Sequence, residues 1–233
     1  MSVMGLYFVV VAFGAALWLW REGVTEAPWL HEGEAPARRG GGEAPQAARA
    51  GLTIFLAVAL CLFSLMSAAF FMRMGSPDWA PPPLPRILWI NTALLIAGSA
   101  ALEVARREAR AGAAAPMRRA LAAGGVASAL FLAGQLWAWR EMVAEGFYAA
   151  QNPANAFFFL LTGAHGLHVA GGLVALARVG ASAWRRASAK VLSERIGLCA
   201  LYWHFLLGVW LLLLVLLIGW ADGFGAICRR ILS

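Results

Sequence analysis

The stretch AFFFLLTGAHGLHVAGGLVALARV, residues 156–179, decides the fold of this chain. It is almost continuously apolar, and a helix needs about 20 such residues to cross a hydrocarbon core of roughly 30 Å. Its two histidines, His165 and His168, would therefore sit at membrane depth, where polar groups are expensive and rarely accidental. The stretch predicts a transmembrane helix whose histidines have a purpose.

Five further apolar runs of similar length accompany this one. The chain of 233 residues is 61% hydrophobic and 13% charged, which excludes an ordinary water-soluble domain. A β-barrel would show short alternating segments, and these runs have no two-residue period. The chain is predicted to be all-α, a polytopic membrane helix bundle with six transmembrane helices. The runs cover residues 3–20, 52–72, 87–105, 121–139, 156–179 and 198–220.

The predicted organisation has four segments. Residues 1–21 are predicted to be an extra N-terminal transmembrane helix, because the run lacks the basic start and the small-residue cleavage site of a signal peptide. Residues 22–50 are rich in Gly, Pro, Ala, Arg and Glu, which favours a flexible cytoplasmic linker. Residues 51–221 hold the five-helix core, and residues 222–233 form a periplasmic tail.

Basic residues alternate between the loops and give an orientation. The loops at 21–51, 106–119 and 185–195 are rich in arginine, whereas those at 73–86 and 140–155 are poor in it. Short loops rich in Lys and Arg stay on the cytoplasmic side. Both termini are therefore predicted to be periplasmic, in a multi-pass protein of a bacterial inner (plasma) membrane.

The net charge of +7 does not predict a nucleic-acid partner. The basic residues are spread over loops on one side, without aromatic interleaving or a binding motif. Anchoring against anionic lipid head groups explains them better. Membrane phospholipids are therefore the partners that the composition predicts. The three cysteines, Cys61, Cys199 and Cys228, have neither the spacing of a disulfide framework nor that of a metal site.

The membrane histidines allow two interpretations. A spacing of three residues places His165 and His168 on one helix face. His204 follows Tyr202 and Trp203, whose amphipathic rings favour the interface belt of a membrane. Two imidazoles from different helices could ligate a b-type haem. Hydrogen-bonded structural or lipid-contacting histidines are favoured, because a redox site usually brings a larger polar constellation.

Few other polar side chains lie in the predicted spans. Glu103 is followed by Arg106 and Arg107 at the spacing of surface ion pairs along a helix. A proton relay through Glu103 is the alternative, although a relay normally needs a chain of such groups. Asn91 and Gln135 are uncharged and are predicted to form hydrogen bonds between helices rather than a transport route.

Two of these stretches resemble a known family. The sequence FFLLTGAHGLHVAGG at 158–172 is similar to the signature helix of subunit III of haem-copper cytochrome c and quinol oxidases, and LYWHF at 201–205 is similar to that subunit's final helix. Matching stretches follow the expected order at 68–73, 83–92 and 131–140. The resemblance covers residues 52–220, the five-helix core of short bacterial forms.

The resemblance implies an accessory, non-catalytic subunit of an oxidase that reduces oxygen to water and moves protons outward. Haem and copper would belong to partner subunits. The catalytic subunit I would be the direct partner, with subunit II in the same complex, and phospholipid would lie in a cleft between the first two and the last three core helices. The subunit would support proton uptake by the oxidase and the durability of the oxidase during turnover. Structural or lipid- and partner-contacting roles would fall on His165, His168, Tyr202, Trp203, His204, Trp210, Asn91, Gln135 and Arg73.

The chain departs from the family pattern at its carboxylates. Val58 or a neighbour stands where the family often has a membrane glutamate, Leu207 stands where the final helix usually has aspartate, and a preceding glutamate falls near Gly197. The roles of those carboxylates therefore do not carry over. Two other functions stay open at this point: an accessory subunit of a nitric oxide reductase, and a b-type cytochrome membrane anchor.

Overall fold

The computed structural model describes residues 9, 13–14, 43–185 and 188–218. This part of the chain is almost entirely helical and contains no strand. Its five helices are each long and apolar enough to cross a membrane, so five of the six predicted spans are confirmed. Most of the predicted span at 3–20, most of the linker and the tail at 222–233 lie outside the described residues. The helices are α1 (Glu43–Arg73), α2 (Ile87–Arg110), α3 (Ala114–Ala144), α4 (Pro153–Trp184) and α5 (Ala189–Leu217).

Helix α1 begins earlier than the sequence predicted. Residues 43–50, which we predicted as the end of the flexible linker, are helical. Their composition explains the difference, since Gln46, Arg49 and the alanines between and after them are strong helix formers. The prediction of a linker followed hydropathy, and hydropathy does not mark where a helix continues beyond its apolar part.

Two helices end in the same backbone arrangement. Gly112 after α2 and Gly146 after α3 have φ angles of 73° and 90°, in the left-handed region that favours glycine. In each case the N–H groups of the glycine and of the residue after it donate to carbonyls of the last helical turn. The longer-range bond of each pair is Ala113 N to Glu108 O at 3.0 Å and Phe147 N to Met142 O at 2.9 Å. These Schellman motifs satisfy carbonyls at the helix ends and set the sharp turns into α3 and towards α4.

Residues 55–218 form one compact unit, in which α2 to α5 make an up-and-down four-helix bundle. Each helix packs against its neighbours in the chain, and α5 closes the bundle against α2. The side-chain contacts run antiparallel: Thr92 faces Trp210 whereas Ser99 faces His204. The core is therefore the space between four helices, and it holds several polar side chains.

Small residues bring α2 and α3 together. A Cβ added to Gly124 would lie 3.0 Å from the Leu102 side chain and 3.4 Å from Gly98 O, and one added to Gly98 would lie 3.3 Å from Ser128 Oγ. Because lipid tails are as apolar as leucine, helices in a membrane associate through close packing and hydrogen bonds. The paired glycines allow the close packing and leave room for the hydrogen bonds.

Helix α1 stands farther from the bundle. No Cα of its part within the compact unit lies within 8 Å of a Cα of another described helix. Aromatic rings make the contact instead: the ring centroids of Phe55 and His168 are 6.1 Å apart, those of Phe63 and His168 5.3 Å, and those of Phe70 and Phe157 5.6 Å. The buried cluster at this contact contains Phe63, Phe70, Leu161, Val209, Leu213 and Leu216.

Candidate functional site

His165 lies fully buried between α4 and α5. Its Nε2 lies 3.0 Å from Leu206 O, and because a carbonyl only accepts, this nitrogen carries the proton. The ring is enclosed by Phe131 at 5.6 Å, Trp210 at 5.1 Å and Phe63 at 6.4 Å between centroids. Nδ1 has no hydrogen-bond partner among the described residues. His165 is thus a hydrogen-bonded packing residue of the bundle interior.

His168 lies one turn further along α4, where α1 and α5 meet it. Its Nδ1 donates to Ala164 O at 2.7 Å, a bond within its own helix. The hydroxyl of Tyr202 donates to His168 O at 2.8 Å, and the rings of Tyr202 and His168 both lie near Phe55. The predicted pairing of His165 and His168 on one side of α4 is confirmed, since Phe63 lies near both rings.

Three tryptophans form one recurring hydrogen-bond arrangement. In each, the indole N–H donates to a hydroxyl on another helix, and the hydroxyl donates to the carbonyl four residues earlier in its own helix. The distances from the indole nitrogen to the hydroxyl oxygen are 2.7 Å for Trp203 and Ser128, 2.9 Å for Trp210 and Thr92, and 3.0 Å for Trp139 and Thr162. The carbonyls belong to Gly124, Leu88 and Phe158.

This arrangement satisfies every polar atom that it brings into the bundle. A buried indole N–H without a partner would cost about 1–3 kcal/mol. The Thr or Ser hydroxyl has one donor and can accept as well, so it serves the indole and its own backbone together. The pairs of Trp210 and Trp139 connect α2 with α5 and α3 with α4, and so fix the register of two of the four contacts between neighbouring helices, whereas the pair of Trp203 joins α3 and α5 across the bundle.

The predicted interface position of Trp203 is wrong. Trp203 and Trp210 are fully buried and Tyr202 is 9% exposed, so none of these rings stands in an aromatic belt. The indole of Trp203 found its partner in Ser128, which the sequence prediction had not considered. An amphipathic ring needs one polar partner, and a buried hydroxyl supplies it as well as the membrane interface does.

Asn91 and Gln135 meet in the interior between α2 and α3. Asn91 Nδ2 donates to Gln135 Oε1 at 3.5 Å, a long hydrogen bond, which confirms the predicted contact between helices. The bare Cα of Gly134 makes room for Asn91, because a Cβ there would collide with the Asn91 amide. Asn91 Oδ1 and Gln135 Nε2 have no partner within the described part of the chain.

His204 belongs to a different, half-exposed cluster on α2 and α5. Its Nδ1 shares a hydrogen bond of 2.5 Å with Ser99 Oγ, and its Nε2 lies 3.6 Å from Glu103 Oε2. Glu103 accepts from Arg106 at 2.6 and 2.7 Å and from Arg107 at 3.2 Å. The predicted ion pairs along α2 are therefore confirmed, and the imidazole of α5 joins them.

The cluster gathers charge at one place in a largely apolar span. The side chains of Glu103 and Arg106 are 22% and 30% exposed, and that of His204 is 46% exposed. A charged group at membrane depth normally faces a protein or a water-filled space and is paired. The arrangement can dock a polar group from outside or pass a proton from imidazole to carboxylate.

Arg73, the remaining predicted site residue, lies at the end of α1. Its guanidinium donates to Ser76 Oγ at 2.8 Å and to Asp78 Oδ2 at 2.6 Å, in the turn that follows the helix. Both partners of the Arg73–Asp78 ion pair are about half exposed, so the pair contributes at most about 1 kcal/mol. Arg73 orders the loop and does not lie near the histidines that the structure describes.

The structure does not bring the predicted residues together in one site: Asn91 and Gln135 lie between α2 and α3, and Arg73 lies at the end of α1. His165, His168, Tyr202, Trp203 and Trp210 line the α4–α5 contact, while His204 stands apart with Glu103. Ser99, Ser128 and Trp139 were not predicted as hydrogen-bonding partners. Their only sequence signal is an isolated polar residue in an apolar run, and that signal does not say which helix it faces. In the described residues, no three His, Cys, Asp or Glu side chains are grouped so as to hold a metal ion.

Apolar spans with hydrogen-bonded histidines and tryptophans between them define a polytopic helical membrane protein. The family model of cytochrome c oxidase subunit III matches residues 2–222. The chain belongs to the cytochrome c oxidase subunit III family, whose members are parts of multi-subunit haem-copper oxidase complexes. The resemblance drawn from the sequence alone is confirmed.

Several curated relatives carry the same description. The chain is 29% identical over 178 residues to a probable cytochrome c oxidase subunit 3 of Mycobacterium bovis, covering 72% of this chain and 86% of the relative. It is 30% identical over 176 residues to the probable subunit 3 of Nocardia farcinica, covering 72% and 85%. A cytochrome bo(3) ubiquinol oxidase subunit 3 of Pseudomonas aeruginosa is 28% identical over 166 residues, covering 69% and 79%. The similarity thus extends to subunits of both kinds of oxidase.

Proposed function

We propose that this chain is an accessory, metal-free subunit III of a bacterial haem-copper terminal oxidase. It packs beside the catalytic subunit I, with subunit II in the same complex, and makes that assembly durable during oxygen reduction and proton translocation. The observation that carries the proposal is the use of its interior polar groups: the imidazole of His165 and the indoles of three tryptophans bond to protein partners within the bundle. Such groups serve packing, and the reaction chemistry belongs to the partner subunits.

The half-exposed cluster of Ser99, Glu103, Arg106 and His204 is the proposed contact with subunit I. It places an imidazole, a carboxylate and a guanidinium on a bundle face that is otherwise apolar, with Ile96 and Leu211 exposed on the same two helices. Hydrocarbon around such a group is costly, so a protein partner that offers hydrogen bonds is the favoured neighbour. Charge and hydrogen bonding at this position then fix the register of docking.

Glu103→Gln and His204→Ala test this contact in the purified oxidase. Each removes one member of the cluster, and we expect each to weaken retention of the subunit about tenfold, a loss of about 1.4 kcal/mol. The lifetime of turnover should shorten in parallel. The measurements are the ratio of subunits after gel filtration in mild detergent and the number of turnovers before inactivation.

Glu108→Gln is the matched control, because Glu108 lies on the same helix, in the turn after Glu103, and belongs to none of the described ion pairs. It should leave both readouts at their original values. Retention and lifetime that stay unchanged in Glu103→Gln and His204→Ala would contradict the docking role of the cluster.

The same cluster supports a second candidate role, in proton uptake by the complex. A hydroxyl, an imidazole and a carboxylate follow one another, from buried Ser99 through half-exposed His204 to Glu103, whose side chain is 22% exposed. Proton uptake by the oxidase in vesicles distinguishes the two roles. A slower uptake in His204→Ala with normal subunit retention would assign the cluster to proton movement.

We also propose that phospholipid lies in the gap between α1 and the bundle of α2 to α5. The cleft expected between the first two and the last three core helices does not form in the described residues, because α2 packs closely against α3 and α5. The support is the wide separation of α1 from the bundle, which side chains such as Phe55 and Phe63 bridge. Acyl chains fill spaces of this kind between membrane helices. His168 and Tyr202 border the gap and would contact that lipid.

The proposed orientation puts the turn after α2 in the cytoplasm and the loop after α3 in the periplasm. Arg107, Arg110 and Arg119 flank the first, and short loops rich in arginine stay inside. In a chain whose native cysteines are replaced, Ala149→Cys should react with a membrane-impermeant maleimide in intact cells. Ala111→Cys should react only after permeabilisation, and the reverse labelling pattern would contradict the orientation.

A further inference from the structure

A groove runs along the outside of the α3–α4 contact, at the end of α3. It has a volume of about 650 Å³, within the range of about 300–1,000 Å³ common for ligand sites. Its walls are apolar and come from both helices: Leu136, Trp137 and Val143 from α3, and Phe159 from α4. The one charged residue that lines it is Arg140.

Arg140 makes no ion pair with the described part of the chain. Its side chain is exposed, and it lies in the last two turns of α3. The neighbouring carboxylates do not reach it: Glu141 projects from α3 about 100° away, and Glu145 lies beyond the helix end. The guanidinium therefore stands unpaired at the end of an apolar groove.

These features fit one chemical class. An apolar channel accommodates a hydrocarbon chain, and a guanidinium at its polar end binds phosphate with two parallel hydrogen bonds. Trp137, which is 63% exposed, has the amphipathic ring that sits at the level of lipid head groups. A hydrophobic helix would leave the Arg140 charge without a counterion, and in a zwitterionic lipid the cation of the head group offsets the charge of the phosphate.

A second depression between the same two helices provides a comparison. It lies at the other end of the contact, has a volume of about 260 Å³ and is lined by Leu121, Gly125, Leu176 and Trp184 among other uncharged residues. It can hold part of an acyl chain, but none of its lining residues carries a charge. The charge of Arg140 is thus what distinguishes the larger groove.

We propose that the α3–α4 groove binds one anionic phospholipid, with an acyl chain along Leu136 and Phe159 and the phosphate on Arg140. This site is separate from the cleft beside α1 and from the cluster around His204. It rests only on α3 and α4 crossing a membrane, so it stands or falls independently of the proposed docking to subunit I. The lipid would extend the surface of the subunit at this end of the bundle.

Native mass spectrometry of the full chain, titrated with phosphatidylglycerol or phosphatidylcholine, tests the site. The wild type should bind one phosphatidylglycerol at least tenfold more tightly than phosphatidylcholine. Arg140→Gln should lose this preference and keep its weak affinity for phosphatidylcholine, while Arg140→Lys should keep part of it. Ala133→Trp, which puts bulk into the groove without changing charge, should weaken the binding of both lipids.

Arg119→Gln is the control, since Arg119 is an exposed arginine at the opposite end of α3 and does not line the groove. It should leave the tight phosphatidylglycerol site intact. An equal loss in Arg119→Gln and Arg140→Gln would reduce the effect to overall charge and overturn the proposal. Unchanged lipid binding in Arg140→Gln, or a loss of partner subunits from the oxidase complex without a change in lipid binding, would overturn it as well.

Discussion

Replacing Trp203 with alanine is expected to lower the free energy of unfolding of the chain in detergent by about 3–5 kcal/mol, the usual cost of removing a large buried aromatic ring. Trp203 is fully buried at the centre of the bundle, where its ring packs against Gly172 and its indole donates to Ser128 at 2.7 Å. Alanine would leave both a cavity and a lost hydrogen bond. The midpoint of thermal unfolding, followed by circular dichroism, measures the effect.

Two further variants separate the cavity from the hydrogen bond. Trp203→Phe keeps most of the ring and removes the indole donor, so we expect a loss of only about 1 kcal/mol. In a double-mutant cycle with Ser128→Ala, the two losses should be less than additive, because both remove the same bond. Trp89→Ala is the control, since Trp89 is 63% exposed and should cost little. Equal losses for Trp89→Ala and Trp203→Ala would contradict the buried position.

Gly172→Ala is expected to destabilise the bundle by about 1–3 kcal/mol, the cost of overfilling a packed interior. A Cβ on Gly172 would lie 2.5 Å from Tyr202 Cε1 and 3.0 Å from Trp203 Cη2. Neither ring can retreat easily, because Tyr202 is bonded to His168 O and Trp203 to Ser128. The change should separate α4 from α5 at this level, which the loss of thermal stability reports.

The preceding residue offers a control of the same chemistry. A Cβ on Gly171 would meet no atom within 4 Å, apart from its own helix backbone and chain neighbours. Alanine favours a helix over glycine by up to about 1 kcal/mol, so Gly171→Ala should be neutral or slightly stabilising. Changes in stability of opposite sign for the two adjacent Gly→Ala variants would locate the close approach of α4 and α5. A loss in Gly171→Ala as large as that in Gly172→Ala would contradict this packing.

The predictable part of the fold was the part that hydropathy controls. Apolar runs located α2 to α5 and most of α1, and the spacing of His165 and His168 put them on one side of α4. The start of α1 was not predicted, since residues 43–50 are helical because of the helix propensity of alanine and arginine and not because of a long apolar run. Hydropathy marks where a membrane begins, and helix propensity continues past that point.

The candidate site was less predictable, because it depends on the register between helices. The sequence singled out His165, Trp203 and Asn91 but did not say what each would face. Ser128 became the partner of Trp203 only because α3 and α5 pass at one particular height. Glu103 shows the same limit: its pairing with Arg106 followed from spacing on one helix, whereas its contact with His204 joins residues of two helices.

The wide stance of α1 has a consequence for biosynthesis. Its rings contact Phe157 and His168 of α4, which leave the ribosome only after α2 and α3 have been made. Until then the nascent α1 has none of the described helices to pack against. Its composition suits that wait, because its most apolar window has a mean hydropathy of 2.5, against 1.5 to 1.7 for α2 to α4. The helix that packs most loosely is thus the one best able to persist alone beside the translocon.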